Sequence, residues 1–401
     1  MPQLIAHLAS SIHNSGNLLG AHMQLKPRLA QLYLALFTSL LIIGFFQFSA
    51  PRLLPHNPQP HDTPSTRSYV SVETINEKGK PADLDINLTV RVRTIQNINL
   101  PEQSFSAEGF YWLQWGQEVQ DMIARHKIAL DGIVEIVNLV DRDSTVIERT
   151  AIFSRQIGGR KVYSLSVFYS GKFFIPNVNL ENSPFDRLIL PIIIEVDDSE
   201  LSSESRFVSL SPELNTTADP IAGEFSNISG FRLIKTSWQR AVASYLSSPD
   251  APTGSQTRYS RATALFTYDP GFWAVFVQWI LPLVVVMGIV VMAPSLDGKL
   301  GDSRLAIPTA ALLTLIFLHL GYKASFPEVP YLTYLDQLYA YSYCVCILIY
   351  ILFVLSSNAH SRGNRVGDGG NYLMQQDRFE LIVQVSIVVG YVCVAVLGWH
   401  A

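Results

Sequence analysis

Five apolar runs constrain this chain more than any other feature. They lie at about 29–50, 272–293, 304–322, 336–357 and 379–400. Each has the roughly twenty residues that a helix needs to cross a bilayer. They account for a chain that is 48% hydrophobic and only 15% charged. Between the first run and the second lie some 220 residues of mixed sequence, enough to build a core of their own. The reading is therefore a multi-pass membrane protein with one large domain on one side of the membrane.

The first run, LAQLYLALFTSLLIIGFFQFSA, follows Lys26 and Arg28. Basic residues before an apolar core mark a signal peptide or signal anchor. Pro51, directly after Ala50, disfavours cleavage there and tips the balance towards an anchor. Residues 1–50 thus read as a cytoplasmic leader plus this segment, and the Pro-rich 51–67 as a linker. The remaining basic residues agree with this orientation. Lys299 and Arg304 lie between the second and third runs, and Arg362, Arg365 and Arg378 between the fourth and fifth. The Gly-rich 357–378 segment is expected to be a flexible cytoplasmic loop. Residues 68–270 are expected outside, in the periplasm of a bacterial inner membrane. The exported segment 68–271 carries 19 Lys and Arg against 25 Asp and Glu, which speaks against nucleic acid as a partner.

The exported part alternates with period two. In DINLTVRVR (85–93), Ile86, Leu88, Val90 and Val92 face one way and Asn87, Thr89, Arg91 and Arg93 the other, the mark of a half-buried strand. Further strands are expected at 105–115, 132–140, 161–170, after Asp186, and at 205–210, 230–240 and 259–268, with a short helix within 116–130. Many short strands separated by turn signals predict an all-β, immunoglobulin-like sandwich of about ten strands. It has no disulfide, because Cys344, Cys346 and Cys393 all fall within apolar runs. No metal spacing, cofactor motif, phosphate loop or nucleophile elbow occurs, which argues against an enzyme.

Four stretches, in order and at the right spacing, resemble the pentameric ligand-gated ion channels, the Cys-loop receptor superfamily in its bacterial form. They are NINLPEQSFSAEGFYWLQW (97–115), GGRKVYSLSVFYSG (158–171) leading into SPFDRL (183–188), WILPLVVVMGIVV with Pro282, and SRLAIPTAALLTLIFLHLGYKASFPEVPYLTYLD (303–336). The resemblance implies a homopentamer whose ligand, a small molecule or an ion, binds between adjacent sandwiches. The 183–188 turn then couples to the linker after the pore helix. In that turn Phe185, behind Pro184, is the apolar plug, and Asp186 and Arg187 are the polar contacts. Leu190 stands where the family has the second loop cysteine.

The periodicity of 302–322 places Ala306, Ala310, Leu313, Phe317 and Leu320 on one helical face. The resemblance makes that face the pore, with Leu313 as the gate. Rings of Leu313 and Phe317 would block ions by dewetting. Asp302, with Asp297 assisting, would favour permeant inorganic cations. Asp302 reads equally well as a helix N-cap. The face is dry, with Ala306 and Ala310 where the family often has Ser or Thr. That feeds the rival reading, a non-conducting membrane-anchored ligand sensor. The ligand-cage candidates are Trp112, Trp115, Tyr163, Tyr245 and Tyr259. The family's Trp-x-Pro-Asp segment is replaced by VEIVNLVD at 134–141, and its basic residue before the first channel helix by TYDPGFW at 267–273.

Overall fold

A computed structural model describes residues 70–74, 84–176, 178–203, 206–212, 220–228, 230–246, 256–296, 301–363 and 369–400. The expected leader, linker, Asp297 and the tip near 247–255 lie outside the described residues. The chain divides into two compact units. Among the described residues, one comprises those up to 384 and the other those from 385 on.

The first unit begins with fourteen strands among the described residues, against the ten or so expected; three of them are only two or three residues long. Sheet A has the order β1 (Val70–Thr74), β13 (Arg232–Leu246), β14 (Gln256–Asp269), β8 (Leu188–Val196) and β4 (Val134–Ile136). Sheet B has the order β11 (Ser209–Pro212), β2 (Asp85–Asn99), β3 (Ser104–Trp115), β7 (Arg160–Phe174) and β5 (Val146–Arg149). Two more strands extend sheet B, with β12 (Ile221–Phe225) on β2 and β6 (Phe153–Ile157) on β7. A small hairpin of β9 (Ser202–Ser203) and β10 (Arg206–Phe207) stands apart.

The alternation read from the sequence decides the layers. Ile86, Leu88, Val90 and Val92 of β2 and Tyr111, Leu113 and Trp115 of β3 are buried from sheet B. Leu190, Ile192 and Ile194 of β8 and Ala262, Ala264 and Phe266 of β14 are buried from sheet A. All belong to one apolar core, so the two sheets form a sandwich. Leu190, the would-be cysteine position, is a core leucine. The short helix α1 (Gln117–His126) closes the end of this core with Val119, Met122 and Ile123.

Four helices follow, each with an apolar stretch long enough to cross a membrane. The first, α2 (Phe272–Ser295), is helical throughout but widens to a π-turn at Phe276–Ile280. The cause is Pro282, which has no N–H to donate and whose ring would clash with the carbonyl four residues back. Next come α3 (Gly301–Lys323), α4 (Tyr334–Gly363) and α5 (Gly369–His400). The last two run well past their apolar stretches. Most of the expected 357–378 loop is therefore helical, leaving 364–368 outside the described residues. The Gly-rich composition suggested a loop, but the Ser, Asn, Gln and Arg residues between the glycines extend the two helices at little cost.

A start signal fixes where α4 begins. Thr333 and Asp336 form a reciprocal capping box. The Thr333 N–H donates to Asp336 Oδ2 at 3.1 Å, and the Asp336 N–H donates to Thr333 Oγ1 at 3.2 Å.

Candidate functional site

Three places in the first unit gather the chemistry: the 183–188 turn, the exposed face of α3, and the outer face of sheet A.

The turn runs from β7 to β8 and sits on the helices. The Phe185 N–H donates to the Asn182 carbonyl at 2.9 Å, and the Ser183–Pro184 peptide is cis. Proline thus occupies the third position of the turn, as in type VI turns. The Phe185 ring stacks on Phe272 of α2 at 5.2 Å and meets the Tyr334 ring of α4 edge-on at 6.3 Å. Polar bonds flank it. The Tyr322 hydroxyl of α3 donates to Ser183 Oγ at 3.0 Å and lies 2.9 Å from Thr333 Oγ1. The Tyr334 N–H donates to the Glu181 carbonyl at 2.8 Å, and the Tyr331 hydroxyl accepts from the Leu180 N–H at 3.0 Å. One turn therefore touches α2, α3 and α4. The polar contacts expected of Asp186 and Arg187 fall instead to Ser183 and to backbone groups. Arg187 is exposed. Asp186 Oδ2 is buried with no hydrogen-bond partner among the described residues. Burial pushes the Asp186 carboxyl up to about 6, against the Asn182 backbone N–H that stabilises its charge.

On α3, the predicted stripe lies on one side. Asp302, Ala306 and Ala310 are exposed, as are Leu313 (56%), Phe317 (65%) and Leu320 (60%). The buried residues Arg304, Ala311, Leu315 and Tyr322 lie on the opposite face, where α3 packs on α2 and α4. Arg304 is only 5% exposed. Its guanidinium lies over the Phe353 ring at 4.9 Å and donates to the Pro294 carbonyl. Its charge is thus turned away from the Asp302 side. Nearer the other end of α3, His319 stacks on Tyr339 at 4.7 Å. Its Nε2 is 2.9 Å from Asp336 Oδ1 and its Nδ1 is 3.0 Å from the Tyr343 hydroxyl. Lys323 donates to the other Asp336 oxygen at 2.7 Å.

The aromatic candidates separate. Trp115 and Tyr163 are buried, their polar tips bonded to Gln120 (3.0 Å) and Gln117 (2.8 Å) of α1. They belong to the core rather than to a cage. Trp112 lies on the outer face of sheet B, under Arg91 at 5.6 Å and beside Phe110 at 5.9 Å. Tyr245 and Tyr259 meet edge-on at 5.5 Å on the outer face of sheet A.

The Tyr245 hydroxyl lies at the centre of a buried ionic group. It accepts from Arg261 Nη2 at 3.0 Å and donates to Glu195. Arg261 Nε donates to Glu195 Oε2 at 2.6 Å. Glu195 is 2% exposed. Burial raises its carboxyl above the ordinary value, opposed by Arg261 and by the Tyr245 bond. Burial and the neighbouring Glu195 push the Tyr245 phenol up to about 12. Glu135 faces Glu195 across the β4–β8 pair and binds Arg142 at 2.8 Å.

Sequence reasoning missed Glu195, Arg261 and the His319–Asp336 pair. A signal existed for Glu195: it is the lone carboxylate in the apolar strand LILPIIIEV. Such a group is rarely buried without a partner. No protein-family model matches this chain, and no curated protein matches it.

Proposed function

We propose that this chain is the subunit of a homopentameric, cation-selective, ligand-gated ion channel, with 68–270 as an exported immunoglobulin-like ligand-binding domain. The carrying observation is the sidedness of α3. Its predicted pore face, from Asp302 to Leu320, is exposed in the single chain, while the opposite face is packed. Five copies around an axis would present Asp302 at one end of the pore and apolar rings of Leu313 and Phe317 further along it. The rings hold the pore dry until the helices tilt. Burial of Arg304 turns its charge away from that face, so Asp302 is the charge that α3 presents there among the described residues, which favours cations.

Ligand binding between adjacent sandwiches draws on Tyr245 and Tyr259, which share a face with Glu195 and Arg261. Trp112 lies on the face that a neighbouring sandwich would offer. β8 leads from Glu195 back to the 183–188 turn. The turn bears on α2, α3 and α4 through Phe185 and Ser183, so movement of the sandwich reaches α3 directly.

The test is current through planar bilayers containing purified wild-type protein or Leu313→Ser. A hydroxyl ring hydrates the gate, so the variant is expected to open spontaneously and to show cation-selective reversal potentials. Silence from both proteins, with intact pentamers by mass, overturns conduction and favours the membrane-anchored sensor.

A further inference from the structure

The far end of the sandwich carries two unmatched charged patches. β8 runs away from the helices, from Leu188 to Val196, and β7 starts at the same far end with Arg160. α1 spans that end. Its first residue, Gln117, accepts from the Tyr163 hydroxyl at 2.8 Å. Its last, His126, lies 3.3 Å from Glu200. The two patches flank α1, which at 1.5 Å per residue is about 15 Å long.

The first patch is acidic and lies at the edge of sheet A. The Asp197 N–H donates to the Ile133 carbonyl at 3.3 Å and Val134 pairs with Val196, which brings Asp131, Glu135, Asp197 and Asp198 to one corner. Burial, with Glu135, Asp198 and Asp131 close by, raises the Asp197 carboxyl above its ordinary value despite Arg142. Arg142 and Arg261 offset two of the neighbouring carboxylates, Glu135 and Glu195. Asp131, Asp197 and Asp198 have no ion pair among the described residues.

The second patch is basic and apolar and lies on the β6–β7 hairpin. Gly158 and Gly159 turn it with φ of 59° and 80°, values that suit a tight two-residue hairpin turn. Register places Phe153, Arg155 and Ile157 opposite Ser164, Val162 and Arg160. Those β7 residues alternate with the buried Tyr163 and Leu165, so all six face outward from sheet B. Phe153 is 62% and Ile157 51% exposed. Arg155 and Arg160 make no ion pair among the described residues, and Lys161 lies over the Tyr163 ring at 4.9 Å. An open edge strand with bare Phe and Ile is a surface that proteins normally cover.

The outer faces of two packed sheets point in opposite directions. One chain therefore cannot bring the patches together, but a neighbour related by rotation about the membrane normal can, because both patches lie at the same end. We infer that the β6–β7 hairpin of one copy docks on the acidic corner of the next, with Arg155 and Arg160 facing Asp131, Asp197 and Asp198. The contact is heterologous, head to tail, and closes into a ring when the rotation from one copy to the next divides a full turn. It rests on the oligomeric reading above and names the charges that set its hand and register. Electrostatic pairing of this kind selects orientation and partner.

The test uses full-length protein in which Cys344, Cys346 and Cys393 are replaced by alanine. Arg155→Cys and Asp197→Cys variants are co-expressed, solubilised together and treated with a short bismaleimide. Cross-linked dimer is expected from the mixture and from neither variant alone. Paired reversal, Arg155→Glu with Arg160→Glu, is expected to raise the dissociation midpoint about tenfold in dilute detergent, the equivalent of about 1.4 kcal/mol and the size of a small network of exposed pairs. Reversing Asp197 and Asp198 to lysine in the same chain is expected to restore it. An oligomer of unchanged mass with no cross-link and no response to reversal overturns this contact and leaves the oligomeric reading intact. Monomers from every variant, wild type included, overturn both.

Discussion

The Tyr322 hydroxyl, on the last turn of α3, donates to Ser183 Oγ at 3.0 Å and also meets Thr333 Oγ1 at 2.9 Å. One buried phenol thereby joins the sandwich, the exposed-stripe helix and the start of α4. Tyr322→Phe keeps the ring and its packing on Trp279 and Phe326 but leaves two buried hydroxyls short of a partner. The expected cost is about 1–3 kcal/mol. Hydrogen exchange should show faster opening of the 182–186 amides, with those in the middle of β3 unchanged. Equal exchange in both proteins would remove Tyr322 from the link.

Asp186 makes stability depend on pH. Its carboxyl titrates near 6 in the folded chain, above the ordinary aspartate value. The folded state therefore binds the extra proton, and stability falls as pH rises through that window. Holding a half-buried carboxyl that far above its ordinary value corresponds, after discounting for solvent screening, to a loss on the order of 1–2 kcal/mol once it ionises. Thermal melts of detergent-solubilised protein should decline between about pH 4 and pH 6.5 in wild type. Asp186→Asn should lack that decline, whatever its absolute melting temperature.

The Glu195–Arg261 pair should behave as a buried unit. Arg261→Met strands the Glu195 carboxylate and is expected to cost about 3–5 kcal/mol. Adding Glu195→Leu to it should recover most of that loss, because no uncompensated charge remains. Denaturation of the single and double variants measures this directly. Additive losses would mean that the two groups do not share one environment.

Asp336 has three distinct partners: the Thr333 backbone, Lys323 and His319. Asp336→Ala removes a cap and takes the carboxylate partner from both His319 and Lys323, an expected loss of about 1–3 kcal/mol. His319→Phe keeps a ring to stack on Tyr339 and should cost less, about 1–2 kcal/mol. A larger loss for His319→Phe than for Asp336→Ala would reverse the assignment of Asp336 as the hub.

The layers of the sandwich, the four long helices and the sided face of α3 were legible in the chain, whereas the seat of the 183–188 turn on the helices was an expectation that came only from the resemblance. The first three depend on spacing between near neighbours: period two in DINLTVRVR and 3.6 in LAIPTAALLTLIFLHL. Short edge strands such as β5 and β6 were not legible, because so few residues carry no period of their own and exist only by pairing with β7. The aromatic candidates show the same limit. Trp112 and Trp115 differ by three positions in one strand, and alternation alone puts one outside and one in the core. It does not say which indole a helix will cover.

Spacing along the chain therefore sets the local repertoire: which segments are strands, which are membrane-length helices, and which face of each is apolar. The folded arrangement alone sets the polar partnerships. It placed Glu195 against Arg261 across 66 residues, His319 against Asp336 across the α3–α4 turn, and Tyr322 under Ser183 across 139. The physical reason is the range of the two effects. Burial of apolar area is summed over a face and leaves a periodic trace in the chain. A hydrogen bond or ion pair joins two atoms within about 3 Å, and its distant partner leaves no trace in the local pattern.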